Sequence, residues 1–349
     1  MTRRVMFAAV AVATVATVAL PLGTRALATR AQQAHQYHVS IGVDATYAAL
    51  TVNKYVPDKL TIHPGDSVTW TNAVGGEPQT VTFGPVENTP ALIADMSASE
   101  INARIVRPQN GRAIRDVSLN VYSSGALMSG IRGLTTTYTF TFPKTGTYLY
   151  RSLFHPLSLG EIDVVAASKP ASSDTPDRGA AMYDAVRSSA QALQNEQRNE
   201  LGGASYGGTT IAVGNGNGNV TINKFTPAGI TIKAGSRITW QIDETSGDPH
   251  AIVLNPSQAD ARQPLYTGLA SDGGLKINPR YTTPTAIDNS TITTDTARTP
   301  INSGILYGSS PVYPSQTPNN YSLTFASPGG YYYVDPFHPS MLGEIQVLP

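Results

Sequence analysis

The chain contains no cysteine. No disulfide can staple it, no thiolate is available to a metal, and a lipid anchor on cysteine is excluded. Charge is scarce too: Asp, Glu, Lys and Arg make up only 14% of the residues, and 24 basic side chains balance 24 acidic ones. A nucleic acid or acidic polymer calls for a basic face, and this composition offers no sign of one. The letters of a P-loop or of H-E-x-x-H are absent. Past the first thirty residues, no apolar run is long enough to cross a bilayer.

What is present favours strands. The 349 residues include 31 Gly, 25 Pro and 17 Tyr, with frequent Thr, a balance suited to short strands and many turns rather than long helices. That length accommodates two domains, each with its own core. Residues 1–28 read as a secretory signal peptide. Arg3 and Arg4 precede an apolar run from Val5 to Leu22, and Ala26-Leu27-Ala28 offers a small-residue cleavage site. Export to the periplasm or medium is therefore expected, with membrane attachment only if the segment is retained. Its removal takes Arg3, Arg4 and Arg25 and leaves 21 basic against 24 acidic residues.

The remainder is an internal repeat. Val52-Asn53-Lys54-Tyr55-Val56-Pro57 is echoed by Ile222-Asn223-Lys224-Phe225-Thr226-Pro227. In each copy a short strand and a Gly turn follow, then a strand ending in Trp70 or Trp240. These are the only tryptophans, and each is expected to anchor one core. Tyr148-Leu149-Tyr150 and Phe154-His155-Pro156 before Gly160-Glu161-Ile162 match Tyr331-Tyr332-Tyr333 and Phe337-His338-Pro339 before Gly343-Glu344-Ile345. Ser124-Gly125 answers Ser303-Gly304. The alternation of apolar and polar residues reads as half-buried strands.

These observations set the expected organisation: an all-β protein of two Greek-key sandwiches, one over 36–167 and one over 219–349. Residues 168–218 form the linker, with helical composition over 178–200 and a flexible Gly/Asn-rich stretch over 202–218. The segments 85–122 and 256–301 read as loop-rich insertions able to carry a short helix.

A strand ending in Trp, a Pro-x step soon after it, and a closing Tyr-x-Tyr-x-x-x-x-His-Pro-x-Met-x-Gly-x-Ile resemble the plastocyanin/halocyanin branch of the cupredoxins. The resemblance covers most of both repeats. It implies a copper site built from an early His and from Cys, His and Met on the loop joining the last two strands. In the second copy it places His250, His338 and Met341 on the family's His, His and Met positions, and Asp335 on the Cys position. In the first copy Gln79 stands for the early His, Ser152 for Cys and Ser158 for Met; only His155 remains. A blue centre needs a copper–thiolate bond, so neither copy can form one. Two imidazoles with a carboxylate still suit Cu(II), and also Zn(II).

Three functions follow from this reading. The first is a copper-binding protein with one ion in the C-terminal copy, serving electron transfer or copper handling with a redox or copper-donor protein as partner. The second is a metal-free structural or recognition module, with the insertions as its binding surface. The third is an enzyme of the multicopper oxidase or nitrite reductase type, which uses several His-x-His pairs. This chain has six histidines and no such pair, so the enzyme reading is set aside. His63 reads as a solvated surface residue, and His35 and His38, near the mature N-terminus as His-Gln-Tyr-His, as a pair able to catch a metal adventitiously but without a designed role.

Overall fold

The structure is a computed structural model. It describes residues 33–43, 50–74, 76–94, 99–172, 184, 188, 209–216, 220–242, 246, 248–257, 263–308 and 317–349. The expected signal peptide and, apart from Asp184 and Ser188, the expected linker helix lie outside these residues. Among the described residues no helix is long and apolar enough to cross a membrane.

The chain is all-β, and its two halves repeat one topology. In the first half Lys59–Ile62, Leu159–Val164, Gly146–Arg151, Thr82–Phe83 and Tyr122–Ser123 form one sheet in that order. Gly229–Lys233, Leu342–Leu348, Gly329–Val334, Val253–Leu254 and Ile301–Asn302 form its counterpart in the second half. Each packs on a strand set that carries the copy's tryptophan. Alternating burial along Ser67–Asn72 and Ser236–Ile242 turns Trp70 and Trp240 into the two cores, where both are fully buried.

The cores are built alike. Trp70 meets the ring of Tyr150 edge-on at 5.2 Å, and Trp240 meets Tyr333 at 5.3 Å. Tyr55 packs on Tyr150, and Phe225 on Tyr333, each at 4.6 Å. Paired with these tyrosines in the ladder are Gly160 and Gly343. A Cβ at either glycine would lie 2.2 or 2.0 Å from the tyrosine ring, so the Gly-Glu-Ile motif recurs because an aromatic face lies on the backbone there.

The halves are fused. Leu50–Val56 of the first copy pairs antiparallel with Val220–Thr226 of the second, joining both into a nine-stranded sheet. Thr51 faces Thr221, flanked by Val52 opposite Val220 and Leu50 opposite Ile222. Because these residues are equivalent in the repeat, the register has the two-fold form of an isologous dimer interface. Residues 34–349 accordingly make one compact unit.

Two expectations need correction. Thr210–Gly216, placed in the linker from its Gly/Asn content, is a strand of the second sandwich. It runs parallel to Ser236–Ile242, as Gln36–Val43 does beside Ser67–Asn72. The second sandwich therefore begins before residue 219. Gly214 lets the strand bend at the register shift between Val213 and Asn215, with a φ of 66°. The insertions, in turn, are not a free surface. Glu100–Ile101 pairs with Leu275–Ile277, and a third core including Ile101, Ile105, Phe154, Leu275, Ile277 and Ile305 draws on both copies. Behind each of these strands stands a one-turn helix, Ala103–Val106 or Pro279–Thr282. Asn102 and Asn278 cap them by accepting from the Arg104 and Arg280 amides at 3.0 and 3.1 Å. The shared letters Ile-Asn-x-Arg extend the repeat into segments that lack visible periodicity.

Candidate metal centre

The loop after Gly329–Val334 is held by its own backbone. The Asp335 amide donates to the Met341 carbonyl at 3.2 Å, and the Met341 amide to the His338 carbonyl at 2.8 Å. Its equivalent in the first copy has the same bonds, Ser152 to Ser158 at 3.2 Å and Ser158 to His155 at 2.9 Å. The early position is fixed likewise: His250 bridges Leu306 as Gln79 bridges Leu127. One backbone cage is thus present twice, with different side chains inside.

In the second copy His250, Asp335 and His338 converge. Asp335 Oδ2 lies 2.7 Å from His250 Nδ1 and 3.0 Å from His338 Nδ1. The ligand-type atoms of the three residues fall within 4.8 Å of one another, and all three are buried. Asp335 is aimed by its other oxygen, which accepts from the amides of Phe337 at 2.9 Å and Ala251 at 3.2 Å. His250 is fixed from behind by Ser246 Oγ, 3.0 Å from its Nε2. The positive φ at Gly214 belongs to this arrangement as well, for a Cβ there would come within 2.8 Å of His250 Nε2. Met341 is buried within the hydrophobic core of the second sandwich.

Charge holds the cluster together. Burial opposes ionisation of Asp335, but the His338 charge and the hydrogen bonds from both imidazoles outweigh it and keep the carboxyl well below its usual range. Burial also disfavours the His338 cation. Asp335, followed by Asp248 and Glu77, overcomes this and pushes its pKa up to about 9.

Among the described residues the first copy assembles no such group. Ser152 Oγ donates to Gln79 Oε1 at 3.1 Å, Gln79 Nε2 donates to Asn53 Oδ1 at 3.1 Å, and Ser158 Oγ donates to the Asn53 carbonyl. These are neutral, mutually satisfied partners. His155 turns away from them toward the other copy and sets Nδ1 3.0 Å from Asp248 Oδ1, which also accepts from Asn53. Asp248 Oδ2 lies 3.8 Å from His338 Nε2, too far for a hydrogen bond. Despite its burial, Asp248 is held below the usual carboxylate range by His155, with His338 and His250 adding to the effect. Glu77 is pushed up by its burial and by Asp248.

Sequence reading thus found His250, Asp335 and His338 together but missed Ser246, Gly214, Asp248 and Glu77. One signal was available for the acids. Glu77-Pro78-Gln79 and Asp248-Pro249-His250 are equivalent triplets, and each acid acts on the other copy's histidine, Asp248 at 3.0 Å from His155 and Glu77 through its charge on His338.

Several solved structures are similar to part of this chain. An oxidized amicyanin variant matches at 19% identity over 37% of this chain and 81% of its own, with a TM-score of 0.22. Amicyanin from Paracoccus versutus matches at 20% identity over 38% and 83%, with a TM-score of 0.22. A purple cupredoxin from Nitrosopumilus maritimus matches at 21% identity over 37% and 99%, with a TM-score of 0.23. The neighbours are cupredoxins. No family model matches the sequence, and no curated protein does. The reading of the site rests on the residues of this chain.

Proposed function

We propose that this is an exported copper-binding protein whose single ion is held in the C-terminal sandwich by His250, Asp335 and His338, with Met341 of the same loop as the remaining donor. One observation carries the reading: two imidazole Nδ1 atoms lie 2.7 and 3.0 Å from one carboxylate oxygen. Donors bound about 2 Å from a common metal ion stand roughly 3 Å apart. Two imidazoles and a carboxylate suit an oxidised, divalent copper ion and give it no thiolate colour. The bound ion would serve electron exchange with a redox partner or acceptance of copper from a donor protein.

A second reading has its own support. Asp335 accepts four hydrogen bonds, from two amides and two imidazoles, so the cluster is saturated by protons alone and would serve a metal-free structural module equally well. The readings differ in proton count, because an ion must displace the Nδ1 protons.

Titration of the chelator-stripped protein with Cu(II) in weak buffer tests both. Copper binding gives acidification and nitrogen hyperfine structure in the paramagnetic resonance spectrum, and both vanish in His338→Ala. Absence of one tightly bound equivalent, or a spectrum unchanged in His338→Ala, refutes the copper reading. Asp335→Cys restores the thiolate and is expected to turn the copper-loaded protein intensely blue.

A further inference from the structure

Where the two copies meet, a cavity of about 710 Å³ opens beside the pseudo-two-fold strand pair. That is within the range of pockets that hold small organic molecules, roughly 300–1,000 Å³. Its walls are apolar and aromatic, with Phe154 from the first copy and Tyr266 and Phe337 from the second. Its polar lining comes from both as well: Glu77 and His155, Asp248 and His338.

The polar groups are incompletely matched. Asp248 has a side-chain exposure of 1%, yet its Oδ2 makes no hydrogen bond among the described residues, nor does the buried Oε2 of Glu77. An ionised carboxylate oxygen accepts only. An unsatisfied buried acceptor costs about 1–3 kcal/mol, and more when charged, so a donor entering the cavity would relieve a standing penalty. Asp248 Oδ1 is already engaged by His155 and Asn53, so Oδ2 is the oxygen left for a ligand. A buried carboxylate oxygen takes a stronger hydrogen bond from a cationic donor than from a neutral one, and it repels an anion.

We infer that the junction is a binding site for a small aromatic or aliphatic amine, its ammonium group donating to Asp248 and Glu77 and its apolar body lying against Phe154, Tyr266 and Phe337. Neither sandwich could supply this site alone, since each contributes one acid and part of the wall. The cavity borders the copper site at His338 but needs no metal, so with chelator present either proposal can fail without the other.

The test is calorimetric titration of the full-length protein in excess chelator with three probes of similar shape: 2-phenylethylamine, 2-phenylethanol and 3-phenylpropionate. Charge-assisted hydrogen bonds predict that the amine binds about tenfold or more tightly than the alcohol, while the carboxylate does not bind. Glu77→Gln and Asp248→Asn each lower amine affinity by a similar factor and leave the alcohol unaffected. Should Asp248→Asn fail to fold, Glu77→Gln carries the test, since its Oε2 makes no bond that folding requires. Equal binding of amine and alcohol, no amine binding at millimolar concentration, or an unchanged affinity in folded Glu77→Gln would overturn the proposal.

Discussion

The two loop sites share one backbone and differ in what fills it. In the first copy Gln79 and Ser152 satisfy each other as neutral groups at 3.1 Å. In the second His250 and Asp335 occupy the same positions as a close acid–imidazole contact at 2.7 Å. His155 and His338 stand at equivalent positions, yet one leaves its loop for a carboxylate across the junction and the other stays with the carboxylate beside it. The difference shows that the sandwich dictates where side chains converge and not what they do on converging. A buried ionic cluster needs counter-charges, and one of them crosses the junction: Asp248 of the second copy lies 3.0 Å from His155 of the first.

Three perturbations sharpen or break this contrast. The largest effect is expected from Asp335→Ala, which leaves the His338 cation and the amides of Ala251 and Phe337 without their acceptor. Breaking a buried pair in this way costs about 3–5 kcal/mol. The equivalent Ser152→Ala removes only neutral hydrogen bonds, one to Gln79 and longer ones from the Thr80 and His155 amides, and costs about 1–3 kcal/mol. Urea unfolding of the two variants measures the gap; equal losses would mean that the charged cluster is no more demanding than the neutral one.

The next effect is alkaline. His338 titrates near 9 in the folded protein against an ordinary value of 6.5. Its contribution is therefore complete below 6.5 and lost as the pH rises through about 9. Asp335 is shifted the other way, so its contribution is present above 3.8 and lost as the pH falls below that. Between 3.8 and 6.5 both act in full. With chelator present, stability should decline on the alkaline side by on the order of 3 kcal/mol. Asp335→Asn should flatten that limb, and an unchanged alkaline limb in this variant would place its origin elsewhere. The neutral groups of the first site, Gln79 and Ser152, contribute nothing to it.

The smallest effect tests likeness rather than difference. Gly160→Ala and Gly343→Ala each press a methyl group into a tyrosine ring, at a cost of about 1–3 kcal/mol. Because Tyr150 and Tyr333 meet these glycines alike, the two losses should agree closely in thermal unfolding. A large disparity would show that the aromatic cores are less alike than their geometry.

Much of this molecule was legible in its sequence, for local reasons. Alternation in Ser67–Asn72 and Ser236–Ile242 gave the strands and the buried tryptophans, because a pleated strand with one face inward must alternate. The spacing within Asp335-Pro336-Phe337-His338 brought an acid and an imidazole into reach, because a tight loop leaves positions three apart side by side. Thr210–Gly216 was misread because glycine and asparagine signal turns, whereas here they provide a bulge beside His250. The pairing of Glu100–Ile101 with Leu275–Ile277 left no periodic trace, because a two- or three-residue strand is too short to carry one.

By itself the sequence determined an all-β repeat, two tryptophan-centred cores and the nearness of Asp335 and His338, which follow from residue pattern or from a short loop; His250 was joined to them only through the resemblance. Only the tertiary structure decided that the copies share a nine-stranded sheet, that His155 reaches Asp248, and that buried Asp248 and half-buried Glu77 line a cavity between them. Those contacts join residues from opposite halves of the chain, and their geometry comes from the packing of one sandwich on the other.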